Sequence, residues 1–184
     1  MSQRELTSRL KTIGRSPEDL SAVFLTHEHS DHIRGAGPFS RRYKVPLYST
    51  AGTRYAAEEV VGNVTDWHRI GQNQKMIIGD IEIESYPTPH DAAESVAYVI
   101  HNNGRKIGHA TDLGSVTPEV IENLTGSDVL LVEANHDEDL LDAGPYPWPV
   151  KRRIKSDRGH LSNRSCAKLL STLNHEKLQK VALM

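Results

Sequence analysis

Three histidines and an aspartate fall within six residues, His27 to His32, at the end of an apolar run in the stretch AVFLTHEHSDHIRGAG, residues 22–37. Imidazoles this dense repel one another when protonated, so the cluster makes chemical sense around a bound cation. His27 and His29 are two apart. In an extended segment they point the same way and can converge on one ion. Asp31 and His32 enter a short helix and point to a second position nearby. Nitrogen and carboxylate donors without thiolates suit Zn²⁺, with Mn²⁺ and Fe²⁺ as alternatives. Two such ions about 3.5–4 Å apart can share a hydroxide and clamp both oxygens of a displacement. The run HEHSD is not the HExxH helix motif of metallopeptidases. Glu28 is therefore not that motif's general base and is expected to point away from the metals.

Elements elsewhere must position these donors and supply more of them. Ser2 and Glu5 make a capping-box pattern for a first helix, with Leu6, Leu10 and Ile13 on one face and Gly14 ending it. Residues 22–25 read as a buried strand that delivers the histidines, and residues 31–37 as a short helix. A strand over 46–49 and a helix over 53–61 follow. Strands over 76–78 and 81–86 flank the turn Gly79-Asp80, and the second runs into Pro87-Thr88-Pro89-His90. Asn102-Asn103-Gly104 marks a hairpin between strands over 96–100 and 105–107, whose second arm ends at Thr111-Asp112-Leu113. A helix over 117–124 has Pro118 at its first position. Residues 129–132 read as a fully buried strand ending in Glu133-Ala134-Asn135-His136. The proline-rich stretch 144–149 reads as a loop, 162–173 as a helix and 181–183 as a last strand. Strand ends repeatedly carry His, Asp or Glu, which is where sites gather in layered α/β folds. His90 and Asp112 stand at such ends, and together with the cluster they supply the count of donors that two metals need. His68, His101, His109 and His175 take structural or exposed roles, His136 can support its neighbour Glu133, and Cys166 packs in the core of its helix.

The 184 residues suffice for one domain, 1–184, with a sizeable core; 37% hydrophobic and 25% charged residues describe a globular, soluble chain. No stretch is apolar enough to span a membrane, and the polar N-terminus is not a signal peptide. A single cysteine excludes an intrachain disulfide and points to a reducing cytoplasm. A net charge of −2 argues against a protein that coats nucleic acid through charge alone.

The run THEHSDH resembles the HxHxDH signature of the metallo-β-lactamase superfamily, and PTPHDA and GHATDLG resemble its later motifs. The segment EANHDEDLLDAGPYPWPVKRRIKSDRGHLSN is similar to the YycJ (WalJ/VicX) branch. The resemblance covers essentially the whole chain. It implies an α/β fold, an αββα sandwich of mixed sheets flanked by helices. It also implies a dinuclear centre: His27, His29 and His90 on one metal, Asp31 and His32 beginning the second site, Asp112 bridging, and Asp31 orienting the attacking hydroxide. In RNase Z-like relatives a histidine before a helix pairs with an earlier glutamate and protonates the leaving group. Here that pair would be Glu133 and His160, although His160 is also readable as the last ligand of the second metal. By the same resemblance the chain lacks the first strands of the fold and a final histidine-bearing segment.

The metal centre implies hydrolysis. The implied reaction is phosphodiester cleavage by a DNA exonuclease, and three features favour it: a proton donor suited to a poor alkoxide leaving group, the basic run Lys151, Arg152, Arg153 and Lys155, and the branch itself. The alternatives are a thioester or lactone hydrolase, and a catalytically silent fragment that binds only a metal or a partner. Tyr146 and Trp148 beside the basic run are expected to anchor their loop in the core rather than stack on a base.

Overall fold

The computed structural model describes residues 1–184. Contacts divide the chain into two units, Met1–Gln72 with Ala92–Val96, and Asn73–Asp91 with Ala97–Met184.

The first unit opens on α1 (Gln3–Thr12). Ser2 caps it by accepting the Glu5 N–H at 3.2 Å. The Glu5 carboxylate reaches forward to Arg9 at 2.8 Å. Ile13, expected on the apolar face, is 70% exposed. Then come β1 (Val23–Phe24), α2 (Ser30–Ile33), α3 (Ala36–Tyr43), β2 (Leu47–Ser49), α4 (Ala51–Val61) and β3 (Trp67–Arg69). The one helix expected over 31–37 is two. α2 stops at Ile33, and α3 restarts at Ala36 with Pro38 in its first turn, where a missing N–H costs no helix bond. The strands form a parallel sheet in the order β1-β2-β3. Leu25, Ile33, Leu47, Ala57, Val61 and Trp67 make its core. Residues 92–96 are stitched onto this unit. Val96 donates its N–H to the Thr26 carbonyl at 3.0 Å, Thr50 Oγ1 donates to the Glu94 carbonyl at 2.8 Å, and Gly52 N–H donates to Glu94 Oε2 at 2.7 Å.

The second unit holds β4 (Lys75–Ile78), β5 (Ile81–Pro87), β6 (Val96–Asn102), β7 (Arg105–Ala110), α5 (Pro118–Leu124), β8 (Val129–Val132), α6 (Glu138–Ala143), α7 (Trp148–Ile154), α8 (Asn163–Leu173) and β9 (Lys180–Leu183). The six strands pair in chain order. β4–β5 and β6–β7 are antiparallel, and β7–β8 and β8–β9 are parallel, so the sheet is mixed. Asn103 and Gly104 turn the β6–β7 hairpin with φ of 48° and 73°, the left-handed pair a two-residue hairpin demands. Thr117 caps α5 and Ser162 caps α8, each accepting an N–H three residues on at 3.2 Å. Tyr86, Val99, Leu124, Leu130, Leu161 and Leu169 are among the core residues, and Cys166 is buried with them. Each fully buried aliphatic side chain stabilises by roughly 1.5–3 kcal/mol. β8, expected to be buried throughout, buries only Leu130 and Val132, its alternate residues. The last two residues of the stretch 144–149 are not loop but the first turn of α7. No helix is long and apolar enough to cross a membrane.

Candidate metal centre

The first unit gathers one cluster. Between β1 and α2 the chain leaves the sheet through Leu25, which is buried, and Thr26. His27 is 0% exposed. The His29 ring meets it edge-on at a centroid distance of 4.5 Å, and the His32 ring lies 4.1 Å away. The rings of His29 and His32 thus both lie against His27. Thr26, which the sequence reading missed, sits between two of them, with Oγ1 3.0 Å from His27 Nδ1 and 3.3 Å from His32 Nδ1. Only its place just before the motif could have suggested it. Asp31 lies in the first turn of α2 with its side chain 77% exposed, and its carboxylate lies 3.4 Å from His32 Nε2. Glu28 turns away and accepts the Ala93 N–H at 2.8 Å, tying down residues 92–96.

The second unit gathers the other cluster at strand ends. β5 runs through the prolines to His90, which is 1% exposed. His90 Nδ1 lies 3.0 Å from the Gly159 carbonyl, which can only accept. Nδ1 therefore carries a proton, and in the neutral ring the lone pair sits on Nε2, the nitrogen that faces Asp112. Arg158 donates Nε and Nη2 to the His90 carbonyl at 3.0 and 2.8 Å. Asp112, just past β7, adopts a left-handed backbone at φ 54°, a conformation that Asp tolerates better than most residues. Its Oδ1 lies 3.9 Å from His90 Nε2 and 3.8 Å from His160 Nδ1. One donor atom from each of His90, Asp112 and His160 falls within 4.8 Å of the other two.

Glu133, at the end of β8, is 5% exposed. One oxygen meets His160 Nδ1 at 2.6 Å, and the other accepts the N–H groups of Leu113 at 2.8 Å and Leu161 at 3.0 Å. A buried carboxylate is costly unless its oxygens are satisfied, and here both are. The hydrogen bond to Glu133 raises the His160 pKa above its ordinary value, against a smaller opposing effect of burial. Burial lowers that of His136 instead.

Two glycines let these turns meet. A Cβ on Gly114 would lie 2.4 Å from the Asp157 carbonyl oxygen, and one on Gly159 would lie 2.1 Å from that of Arg153. The bare Gly114 lets the turn after Asp112 pack against the turn carrying His160, and the bare Gly159 lets that second turn close on the end of α7. Asp91 was also missed. Its carboxylate lies 3.5 Å from His90 Nε2 and is gripped by Arg153 through Nε at 2.5 Å and Nη2 at 3.0 Å. The pair is 62 residues apart in sequence, with no local signal.

The basic run lies on and just beyond α7. Lys151 Nζ donates to the Asp142 carbonyl at 2.7 Å, and Lys155 pairs with the Asp142 carboxylate at 2.8 Å. Arg152 is exposed. The donors of both clusters are imidazole nitrogens and carboxylate oxygens, and the lone cysteine lies in the core. That chemistry fits a divalent ion of the zinc, manganese or iron kind.

Residues 1–181 match the family described as the β-lactamase superfamily domain. The chain is 40% identical over 167 residues to Exodeoxyribonuclease YycJ of Bacillus anthracis, an alignment covering 90% of this chain and 63% of that protein. It is 37% identical over 187 residues to Exodeoxyribonuclease WalJ of Streptococcus pneumoniae, covering 100% of this chain and 70% of that one. The chain thus spans 63% and 70% of the length of these two relatives. Among solved structures, human tRNase Z, short form, superposes with a TM-score of 0.67 at 16% identity, over 96% of this chain and 81% of that one, and so shares the fold. Motifs, fold and relatives agree: the chain belongs to the β-lactamase superfamily, on the branch that holds the YycJ and WalJ proteins.

Proposed function

We propose that the protein binds two divalent metal ions, with zinc the first candidate, and that it hydrolyses phosphodiester bonds at DNA ends. His27, His29 and His90 hold one ion in this reading, Asp31 and His32 serve the other, and Asp112 is shared. When bound, such ions supply Lewis acidity and acidify water at neutral pH. Asp31 orients the nucleophile. His160, held at Nδ1 by Glu133, delivers a proton from Nε2 to the leaving oxygen.

The observation that carries this reading is the Glu133–His160 pair. A buried carboxylate with three partners fixes one imidazole and raises its pKa, which is what a general acid needs. An alkoxide leaving from phosphorus needs that proton far more than a thiolate leaving from a thioester. The relatives named exodeoxyribonucleases support the same substrate class. α7 supports it too. Lys151, Arg152, Arg153 and Lys155 concentrate positive charge on a chain that is otherwise slightly acidic, a pattern suited to local phosphate contacts. The single buried cysteine suits a reducing cytoplasm.

The test is end-labelled DNA, single- and double-stranded, incubated with the protein and added Zn²⁺ or Mn²⁺, with products resolved by size. Release of mononucleotides from an end, stopped by a chelator and restored by metal, is expected. Turnover of a model thioester or lactone with no action on DNA would overturn the assignment.

A further inference from the structure

Residues 144–149 read Gly-Pro-Tyr-Pro-Trp-Pro, and the sequence leads one to bury both aromatics. The structure does the opposite. Tyr146 is 56% and Trp148 67% exposed, and within the same stretch of chain, 140–150, Leu140 at 73% and Val150 at 38% are exposed too. Clustered apolar exposure of this kind marks a contact face.

Three features say what the face contacts. The first is rigidity. Pro145, Pro147 and Pro149 alternate with the aromatics and each fixes its own φ, so the rings are displayed at little entropic cost. The second is anchoring. α7 is pinned to Asp142 through Lys151, and Lys155 just beyond it grips the same residue. Arg153 clamps Asp91, the residue after His90. The aromatic face is therefore carried on an element bolted beside a proposed metal ligand of the same unit. The third is charge. Lys151, Arg152, Arg153 and Lys155 follow the aromatics within seven residues. Arg153 and Lys155 are already paired with Asp91 and Asp142, and a purely apolar protein partner would leave the charges of Lys151 and Arg152 without an anionic partner. A nucleic acid strand matches both, with bases for the rings and phosphates for the cations.

We propose that Tyr146 and Trp148 form a stacking platform for unpaired bases at the end of the DNA strand that this site processes, an inference that rests on the nuclease reading above. It predicts a preference for frayed or single-stranded ends over blunt duplex, with little dependence on base sequence, because every base has a π-face.

The test uses the whole chain with metal chelated, so that binding is read without cleavage. The chain has two tryptophans, and Trp67 is buried at 6%, so Trp148 dominates any change on the surface. A single strand of about ten nucleotides is titrated in, with a blunt duplex as comparison. Quenching of tryptophan emission by the single strand is expected. By anisotropy of a labelled strand, Trp148→Ala and Tyr146→Ala should each weaken binding about tenfold, and Trp148→Phe should retain most of it. Both aromatics are exposed, so unchanged thermal melting will show that the variants fold. Equal affinity for wild type and both alanine variants would overturn the platform. So would an emission shift that follows protein concentration without DNA, which would mean a second copy covers the face. If the platform binds and added metal gives no cleavage, the platform stands and the nuclease reading fails.

Discussion

Glu133→Gln is expected to cost both cleavage and stability. Glu133 is 5% exposed, and its two oxygens serve three partners at 2.6–3.0 Å. An amide can accept with its oxygen, but its nitrogen donates. Either the His160 contact or the two N–H groups of Leu113 and Leu161 must then face a donor. Leaving buried donors unsatisfied costs about 1–3 kcal/mol. For a chain of this size that is roughly 2–4 °C of melting temperature per kcal/mol. Loss of the oriented acid should slow DNA cleavage by about 10²–10⁴-fold. His160→Ala removes the proposed acid and leaves the Glu133 bonds to Leu113 and Leu161 in place. It should match the loss of rate with a smaller loss of stability. A Glu133→Gln protein that melts lower yet cleaves at the wild-type rate would leave the pair purely structural.

Asp31→Ala should separate chemistry from folding. The Asp31 side chain is 77% exposed, and its one short contact is the 3.4 Å approach to His32. Surface substitutions of this kind usually change stability by under about 0.5 kcal/mol. The same carboxylate is assigned to the second ion and to the nucleophile, so cleavage should fall at least about 10²-fold. Circular dichroism and thermal melting should stay at wild-type values while the rate on end-labelled DNA collapses. Full activity on DNA in this variant would remove Asp31 from the mechanism.

The two carboxylates were unequally legible. Asp31 stands in a six-residue cluster whose spacing alone points to metal chemistry, and the structure sets the rings of His29 and His32 against His27. Glu133 and His160 lie 27 residues apart, and only family resemblance joined them; the 2.6 Å bond is what the fold adds. The Arg153 clamp on Asp91 and the glycine contacts at Gly114 and Gly159 depend wholly on tertiary approach, which no local pattern encodes. The main elements followed their periodicity and caps. One error came at a proline: the stretch 144–149 reads as loop, but Pro149 lies in the first turn of α7, where the absent N–H has no helical partner to lose. Reading 144–149 as loop also led to burying both aromatics, yet Trp148 opens α7 exposed and Tyr146, just before that helix, is exposed too.

The most direct test of the central claim is the metal content of the purified chain, by elemental analysis after gel filtration. About two zinc, manganese or iron ions per chain are expected, as a two-metal hydrolase requires. His27→Ala and His90→Ala should lower that number. One ion or fewer in the wild-type protein, after incubation with excess metal, would contradict the dinuclear centre.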